Sequence, residues 1–363
     1  MKIATVLGAR PQFIKAAPVS RAFQKYCTDH PDRPVREIII HTGQHYDDEM
    51  SAVFFREMSI PEPHYHLGVA SGSHGRQTGQ MMMRIEEVLL HEKPDWVLVY
   101  GDTNSTLAGA LAAAKLNIPL AHVEAGLRSF NRRMPEEINR VVVDHVSSLL
   151  LCPSQAAINH LCTEGITAGV HLVGDVMADA LSFFSALADS GSDIHERLGL
   201  VKGAYLLATV HRAENTDRPE RLAGILSAFG QVEEPIVLPL HPRTKKVIDS
   251  LGLAVPRRVR VIKPVGYLDM IALEKSSRMI LTDSGGIQKE AYWLGVPCVT
   301  LRDETEWVET IESGWNQLVG TEEVKIVYAI RFFERPESRP SLYGDGRAAE
   351  RIVDLCVESR PST

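Results

Sequence analysis

Two carboxylate residues directly follow apolar runs in the first third of the sequence. Asp102 comes after the run Trp96–Tyr100, and Glu124 comes after Ile118–Val123. If both runs are neighbouring strands of a parallel sheet, both carboxylates lie at the edge where open α/β sheets bind ligands. A carboxylate buried at such an edge requires a partner or a chemical task. Asp102 and Glu124 are therefore candidate acid and base groups.

Further acid and base candidates stand at the start of a helical segment and after a later strand. Glu136 and Glu137 occur in Met134-Pro135-Glu136-Glu137, where acidic groups can simply complement the positive end of a helix. Alternatively, Glu136 acts with Asp102 and with His211, which follows the run Tyr205–Val210. Such a set could transfer protons and stabilise positive charge developing on a sugar ring.

Cationic and glycine-containing segments follow other strands and suit an anion. The segment Asp283-Ser284-Gly285-Gly286 precedes a helical pattern, where free N–H groups and positive potential favour phosphate. An ordinary helix cap followed by a tight turn is the competing interpretation. Basic side chains at facing strand ends favour a diphosphate, because arginine binds it as a fork and lysine as a point charge. These residues are Arg10, Lys15, His211, His241 and Arg243.

Elements that could position these groups alternate along the whole chain. Short β-rich runs separated by helical patterns predict doubly wound parallel sheets, and two series of such runs predict two Rossmann-like domains. We expect an N-terminal domain of residues 1–173 and a C-terminal domain of residues 174–346, with a cleft between them. The last helix could belong to either half, and we place 347–363 with the first. The polar stretch Asp189–Leu200 is expected to be a surface connection.

Each half contains six candidate strands. In the first half they are Lys2–Leu7, Val35–His41, Trp96–Tyr100, Ile118–Val123, Leu149–Cys152 and Val170–Val173. In the second half they are Tyr205–Val210, Ile236–Leu240, Val259–Ile262, Met279–Thr282, Cys298–Leu301 and Gln317–Val319.

Composition excludes several classes of function. The 363 residues are 44% hydrophobic and 23% charged, as in globular proteins, and no apolar run approaches the roughly 20 residues of a membrane span. The N-terminus lacks a signal peptide, which predicts a cytoplasmic protein. The net charge of −7 at pH 7 argues against nucleic acid or anionic membranes as partners.

Cofactor motifs are missing from the sequence. Its five cysteines form no CxxC pair, and His41 and His45 lie in a loop without a carboxylate ligand, so we expect no metal site. No strand is followed by GxGxxG, and no GxxxxGK[ST] occurs, so we expect neither NAD nor P-loop chemistry.

Four motifs resemble the non-hydrolysing UDP-N-acetylglucosamine 2-epimerase family over nearly the whole chain. They are Gly101-Asp102-Thr103, His122-Val123-Glu124-Ala125-Gly126-Leu127-Arg128, Met134-Pro135-Glu136-Glu137-Ile138-Asn139-Arg140 and Leu281-Thr282-Asp283-Ser284-Gly285-Gly286-Ile287-Gln288. The resemblance implies the glycosyltransferase-B fold, no cofactor, a homodimer, and inversion at C2 by elimination and re-addition of UDP.

The resemblance also implies roles for individual residues. Asp102, Glu124 and Glu136 match the acid/base carboxylates of the family, and His211 matches its functional histidine. Positions that hold UDP are matched by Arg10, Lys15, Ser284, Gly285 and Glu290, with Glu290 expected at the ribose.

Departures from the commonest family pattern point to a branch. The first loop reads Gly8-Ala9-Arg10-Pro11-Gln12, and Tyr46 stands where an allosteric arginine is usual, which puts activation by substrate in doubt. These and other variants resemble the branch acting on UDP-2,3-diacetamido-2,3-dideoxyglucuronate, an intermediate of surface polysaccharides such as O-antigen. Its C6 carboxylate would suit Arg132 or Arg133, which could equally be a solvated cluster.

Three alternatives remain at this point. The substrate could be UDP-N-acetylglucosamine. The chain could be a glycosyltransferase of the same fold, which predicts an acceptor groove and fewer carboxylates near C2. It could also be a non-catalytic sensor of nucleotide sugars.

Overall fold

The structure, a computed structural model, describes residues 1–43 and 61–359, and of Arg10 only the backbone. It forms two compact units, one comprising Met1–Ala180 with Leu342–Thr363 and the other Leu181–Ser341. The domain limits expected from the sequence remain a prediction.

Elements of the first unit alternate between strand and helix. In chain order they are β1 (Lys2–Leu7), α1 (Arg10–Asp29), β2 (Arg36–His41), β3 (Tyr65–His66), α2 (His74–Glu92), β4 (Trp96–Tyr100), α3 (Asn104–Lys115), β5 (Leu120–Val123), α4 (Pro135–Val146), β6 (Leu149–Cys152), α5 (Gln155–Thr163) and β7 (Val170–Leu172). The division between the units falls within the next helix, α6 (Val176–Gly191).

Elements of the second unit follow the same alternation. They are α7 (Ile194–Leu198), β8 (Leu206–Thr209), α8 (Ala213–Thr216), α9 (Pro219–Gly230), β9 (Ile236–Pro239), α10 (Pro242–Leu251), β10 (Val259–Ile262), α11 (Tyr267–Ser276), β11 (Met279–Thr282), α12 (Gly285–Leu294), β12 (Cys298–Thr300), α13 (Val308–Glu312), β13 (Asn316–Leu318) and α14 (Glu323–Phe332). The chain then returns to the first unit with α15 (Ala348–Glu358).

The first sheet is parallel throughout the described residues, in the order β3-β2-β1-β4-β5-β6-β7. Helices cover both faces of such a sheet, so its central strands are continuous apolar runs. All five residues of β4 are buried, for example. The strand order reverses between β1 and β4, whose carboxyl ends therefore form the topological switch point of this unit.

The second sheet is also parallel, in the order β10-β9-β8-β11-β12-β13. Its switch point lies between β8 and β11, where Thr209 pairs in register with Thr282. Both sheets place the predicted site segments at their carboxyl ends. Across the described ranges, every helix is too short or too polar to span a bilayer.

Three details differ from the sequence-based expectation. The short strand β3 was not predicted, because two residues carry no apolar run. Helix α1 begins at Arg10, within the segment Gly8–Gln12 that was expected to be a loop, since Pro11 fits a first helical turn, where no N–H bond is lost. The stretch Asp189–Leu200, expected to be a surface connection, is partly helical, because it contains the end of α6 and the whole of α7, whose Ile194 is buried.

Candidate active site

A cluster of carboxylates and cations occupies the switch point of the first sheet. Lys15 on α1 forms an ion pair with Glu124, which follows β5. Asp102, which follows β4, forms an ion pair with Arg140 of α4 at 2.8 Å. Glu124 is only 6% exposed, whereas the side chain of Asp102 is 33% exposed. One carboxylate is therefore enclosed and the other remains accessible.

Buried amide side chains hold the loops that carry this cluster. Gln12 accepts hydrogen bonds from the backbone N–H groups of Gly8 and Ala9 at 2.8 and 3.0 Å. Its amide nitrogen donates to the carbonyl of Tyr100 at 2.9 Å, which joins the ends of β1 and β4. Asn139 donates to the carbonyl of Asp102 at 2.8 Å and so fixes the backbone of that residue.

The turn after β5 holds Glu124 in an unusual backbone conformation. Its φ of +68° lies in the left-handed region, which L-residues other than glycine seldom adopt, and such strain is concentrated at functional sites. Gly126 in the same turn has φ of +79°, and a Cβ there would lie 2.4 Å from the carbonyl oxygen of Ala157. Glycine is therefore required at 126, and the turn that aims Glu124 is tightly constrained.

Electrostatics in the cluster favour a charged lysine and a proton-binding aspartate. Burial lowers the pKa of Lys15, but Glu124 and Asp102 outweigh it, and the net pKa is raised. Burial raises the pKa of Asp102, against the effect of Arg140 and Lys15, and the charges of Glu124 and Glu136 raise it further. A carboxyl group whose pKa is moved toward neutrality suits general acid and base catalysis.

The two glutamates at the start of α4 have different environments. Glu137 is buried and accepts from the backbone N–H groups of Ser129 and Phe130 at 2.9 and 2.8 Å and from the Ser129 hydroxyl at 2.9 Å. Although burial raises the pKa of Glu137, these hydrogen bonds lower it overall. Glu136 is exposed, and its carboxylate forms no hydrogen bond or ion pair with the described residues. Of the two, Glu137 shapes the loop and Glu136 is accessible to a ligand.

A fully buried carboxylate organises the switch point of the second sheet. Asp283, after β11, accepts from the backbone N–H groups of His211 and Arg212 at 3.0 Å each and from the amide of Asn215 at 3.1 Å. These bonds fix the loop after β8. The His211 ring lies 5.6 Å from that of His241. Burial lowers the pKa of His211, Asp283 opposes this, and His241 lowers it further. His211 is thus placed by backbone contacts.

The predicted diphosphate ligand Arg243 is already paired in the structure. Its guanidinium donates to both oxygens of Asp217 at 2.7 and 2.8 Å and to the Thr216 hydroxyl at 3.0 Å. His241 serves as the N-cap of α10, accepting from the Arg243 N–H at 3.2 Å. Binding a diphosphate through Arg243 would therefore require it to leave or share Asp217.

The N-terminus of α12 carries no side-chain cap. Ser284 stands at the N-cap position without a capping hydrogen bond, and the carboxylate of Asp283 is used by the loop after β8. Gly285 is buried, and a Cβ there would lie 3.2 Å from Trp307 Nε1 and 3.7 Å from Arg212 Nη2. Gly286 is exposed. The uncapped amides can bind an anion.

Glu290, predicted at a ribose, lies further along α12. It is 7% exposed and accepts from the Tyr267 hydroxyl at 3.1 Å. Burial raises its pKa, although Tyr267 and Lys289 lower it.

Comparison with known proteins places these features in a family. Residues 29–356 match the family model described as UDP-N-acetylglucosamine 2-epimerase. A UDP-N-acetylglucosamine 2-epimerase homolog of Methanococcus maripaludis is 53% identical, over 98% of this chain and 99% of its own. The UDP-2,3-diacetamido-2,3-dideoxy-D-glucuronate 2-epimerase of Pseudomonas aeruginosa is 52% identical, over 99% and 100%.

Solved structures agree with this relationship. The UDP-GlcNAc 2-epimerase of Methanocaldococcus jannaschii, crystallised with UDP-GlcNAc and UDP, is 44% identical with a TM-score of 0.87, covering 99% of this chain and 100% of its own. The chain belongs to the UDP-N-acetylglucosamine 2-epimerase family. It is therefore an isomerase of the non-hydrolysing UDP-sugar 2-epimerases.

The predicted glycosyltransferase-B fold of this epimerase is confirmed. A calicheamicin glycosyltransferase shares the fold at a TM-score of 0.53 and 13% identity, over 99% of this chain and 94% of its own. The α/β class and the two Rossmann-like sheets predicted from the strand pattern are those of the structure.

Several predicted site residues of the epimerase lie close together. Others fall outside the residues that the structure describes. Asp102, Glu124 and Lys15 form one cluster, and the charge of Glu136 acts on Asp102. The side chain of Arg10 lies outside the described residues, and so does Tyr46. Sequence patterns did not identify several groups in or around the two switch points, because these groups contact residues far away in the sequence and leave no local pattern. They are Gln12, Asn139, Arg140, Arg212, Asn215 and Trp307.

No group of three or more His, Cys, Asp or Glu residues within the described ranges is arranged to hold a metal ion.

Proposed function

We propose that this chain interconverts UDP-2,3-diacetamido-2,3-dideoxyglucuronate and its C2 epimer. The observation that carries the proposal is the cluster of Asp102, Glu124 and Lys15 at the switch point of the first sheet. It places two carboxylates of different accessibility beside a lysine in a member of a 2-epimerase family. The substrate assignment is supported by the 52% identity to the Pseudomonas aeruginosa enzyme.

The first step is an elimination across C1 and C2 of the sugar. A carboxylate removes the C2 proton while the C1–O bond breaks, and UDP leaves with that electron pair. The C2–H electrons form the C1–C2 double bond of a bound glycal. No carbonyl adjoins C2 in the ring, so departure of UDP must assist proton loss. Positive charge that develops at C1 is stabilised by nearby carboxylates.

The second step reverses the first on the opposite face. An acid group delivers a proton to C2 from the other side, and a UDP oxygen re-forms the bond to C1. One group must be a carboxylate and another a carboxylic acid at the same time. The raised pKa of Asp102 and the ion pair of Glu124 with Lys15 are suited to this division. Glu136, exposed beside them, is the third candidate.

Several groups of the second unit are suited to a nucleotide. The uncapped N-terminus of α12, with Ser284, Gly285 and Gly286, suits the diphosphate. Glu290 can accept hydrogen bonds from ribose hydroxyls, and His211, held by Asp283, can donate to a phosphate oxygen. Arg243 would join them after release from Asp217.

Arg132 and Arg133 are candidates for the C6 carboxylate of this substrate. Both are exposed in the loop before α4, two and one residues before Met134. Their guanidinium groups form no ion pair with any described carboxylate, so they are available to a ligand. An arginine can bind a carboxylate through two parallel hydrogen bonds.

A side-by-side turnover assay tests the substrate. Purified enzyme is incubated with each UDP-sugar in D₂O, and C2 deuteration and the two epimers are followed by NMR. We expect turnover of the diacetamido-uronate at a kcat/KM at least about 10-fold above that of UDP-N-acetylglucosamine, in line with an added charged contact. The double variant Arg132→Gln/Arg133→Gln should lower kcat/KM for the uronate and leave that for UDP-N-acetylglucosamine nearly unchanged.

UDP-N-acetylglucosamine itself is the second candidate substrate. It is favoured by the family model and by the 53% identical homolog of Methanococcus maripaludis. Faster turnover of UDP-N-acetylglucosamine would replace the uronate assignment. Release of UDP onto an acceptor without deuterium at C2 would instead indicate a glycosyltransferase, and binding without any turnover would indicate a sensor.

We further propose a cytoplasmic homodimer that supplies surface polysaccharide synthesis. Cell fractionation and light scattering of the purified chain test the first two points. A membrane-bound or monomeric active enzyme would contradict them.

A further inference from the structure

A buried network lies behind the proposed catalytic carboxylates and has no assigned role. His122 in β5 is fully buried. Its Nδ1 lies 2.7 Å from Asp144 Oδ1 on α4, and its Nε2 lies 2.8 Å from the carbonyl oxygen of Gly101. The imidazole thus connects a helix to the loop that carries Asp102.

Both partners of His122 are hydrogen-bond acceptors. A backbone carbonyl can only accept, so Nε2 must carry a proton. Asp144 Oδ2 accepts hydrogen bonds from the Gly126 N–H and from Arg128, with which it forms an ion pair, so Asp144 is a carboxylate. A carboxylate also only accepts, so Nδ1 must be protonated as well.

The charges of the network balance. Arg128 donates to Asp144 Oδ2 at 2.7 Å and to both oxygens of Glu164 at 2.7 Å each. A protonated His122 and Arg128 therefore face two carboxylates, Asp144 and Glu164. Buried ions are costly unless paired and hydrogen-bonded, and each described partner here meets that condition.

The network reaches the backbone on both sides of the proposed catalytic groups. Asp144 Oδ2 also accepts from the N–H of Gly126 at 3.1 Å. Asp144 is therefore bonded to both His122 and Gly126, which lie two residues before and two residues after Glu124. The bond from His122 to Gly101 holds the residue just before Asp102. One imidazole and one carboxylate thus join the backbone next to Asp102 to the turn that carries Glu124, in addition to the backbone hydrogen bond from the Gly101 N–H to the Val123 carbonyl at 3.0 Å.

We propose that His122, as a doubly protonated imidazolium, is a positioning residue for epimerisation, holding the Gly101–Asp102 backbone at a fixed distance from Glu124. It does not touch the sugar or transfer a proton. The inference rests on the proposed function, because its effect is exerted through Asp102 and Glu124. Errors of about 1 Å in the placement of catalytic groups can cost about 100-fold in rate.

Two amide substitutions separate the contacts of His122. In His122→Asn the amide can reach the position of Nδ1 and retain Asp144, but it cannot reach Gly101. In His122→Gln the longer side chain can reach the Nε2 position and donate to Gly101. Both variants lose the imidazolium charge and each retains one of the two contacts, so the comparison between them weighs the contact with Gly101 against the contact with Asp144.

Steady-state kinetics of the full chain provide the functional test. We expect His122→Asn to lower kcat about 10- to 100-fold with little change in KM or UDP affinity, and His122→Gln to restore much of the loss. The control His145→Asn changes an exposed histidine beside Asp144 and should retain wild-type kcat. Assays are run below the unfolding temperature of every variant, per folded enzyme. Equal kcat in the two amide variants, or wild-type kcat in both, would overturn the proposal.

Nitrogen-15 NMR of the wild-type protein tests the charge state without any variant. Histidine-labelled enzyme should show both His122 nitrogens protonated at neutral pH, with couplings to Asp144 and Gly101. An unprotonated ring nitrogen would contradict the imidazolium. If wild-type enzyme turned over no UDP-sugar, the proposed function would fail, while the NMR result would still decide the protonation of His122.

Discussion

The switch points of the two sheets each carry an aspartate, but the two carboxylates are held differently. Asp102 is bound by a side chain, Arg140, and remains one-third exposed. Asp283 is fully buried and is bound chiefly by backbone N–H groups of a neighbouring loop. The pKa of Asp102 is raised by burial and by neighbouring carboxylates. Equivalent positions in one fold thus hold an accessible carboxylate and a buried structural one.

The difference shows which buried carboxylates are available for chemistry. Hydrogen bonds from backbone amides stabilise the ionised form and fix the chain at the same time. A carboxylate with that many backbone donors holds a loop in place. One held by a single arginine, near other carboxylates, can bind and release a proton with little change in structure.

Replacing Asp102 gives the largest expected effect of this comparison. Asp102→Asn keeps the size and an acceptor for Arg140 but removes the acid/base function, so we expect kcat to fall about 10²- to 10⁴-fold. Stability should change by less than about 1 kcal/mol, because the ion pair is partly exposed. The measurements are C2 deuteration in D₂O, UDP binding by calorimetry and thermal unfolding.

A matched control for Asp102→Asn lies in the same unit. Asp345 is an exposed aspartate that pairs with Arg351 at 2.7 Å, and Asp345→Asn should retain wild-type kcat. Near-normal deuteration by Asp102→Asn would assign the acid/base role elsewhere, with Glu136 as the next candidate.

Replacing Asp283 should affect folding more than chemistry. Asp283→Asn places an amide nitrogen where backbone N–H groups already point, so at least one donor loses its acceptor. We expect the free energy of unfolding to fall by about 2–4 kcal/mol. Urea unfolding followed by tryptophan fluorescence suits this test, because Trp293, Trp307 and Trp315 all lie in the second unit.

An exposed aspartate in the second unit serves as the reference for Asp283. Asp303 follows β12 and pairs with Arg221, yet its side chain is 63% exposed, so Asp303→Asn should cost less than about 1 kcal/mol. A loss for Asp283→Asn as small as that of Asp303→Asn would remove the distinction between the two switch points.

Much of the fold follows from local sequence features. Strands buried on both faces are uninterrupted apolar runs, and eleven of the twelve predicted runs contain a strand of the structure, while the twelfth, Gln317–Val319, overlaps the strand Asn316–Leu318. The strand β3 was missed because its two residues, Tyr65 and His66, have no such pattern. The early start of α1 was missed because Gly8–Gln12 was interpreted as a loop.

The candidate site was predicted less completely than the fold. Positions after strands identify Asp102, Glu124 and His211, since strand ends converge at one edge of a sheet. Partners could not be assigned in this way. Arg243, expected at a diphosphate, pairs with Asp217, 26 residues earlier. Asp283, which the competing interpretation made a cap of α12, binds the loop 72 residues earlier. Such contacts depend on packing between elements, which local patterns do not encode.

A further carboxyl group, that of Glu274 in the second unit, contrasts with both Asp102 and Asp283. Glu274 on α11 is 1% exposed, and within the described residues neither of its oxygens has a hydrogen-bond partner. Burial and the nearby Glu290 raise the pKa of Glu274 well above its ordinary value. The folded protein therefore keeps Glu274 protonated at pH values where the unfolded chain releases the proton.

The smallest predicted effect is a pH-dependent change in stability from Glu274→Gln. A raised folded-state pKa contributes stability that is complete below the ordinary pKa of 4.5 and is lost as the pH rises through the raised value. Glutamine is neutral throughout, so the variant should lose this decline and gain stability relative to wild type as the pH rises. Unfolding of wild type, Glu274→Gln and the exposed control Glu196→Gln is compared across a pH series. For Glu196→Gln, we expect a difference from wild type that does not vary with pH. The same constant difference for Glu274→Gln would mean that Glu274 is ionised in the folded state. Burial alone would then not decide which carboxyl groups remain neutral.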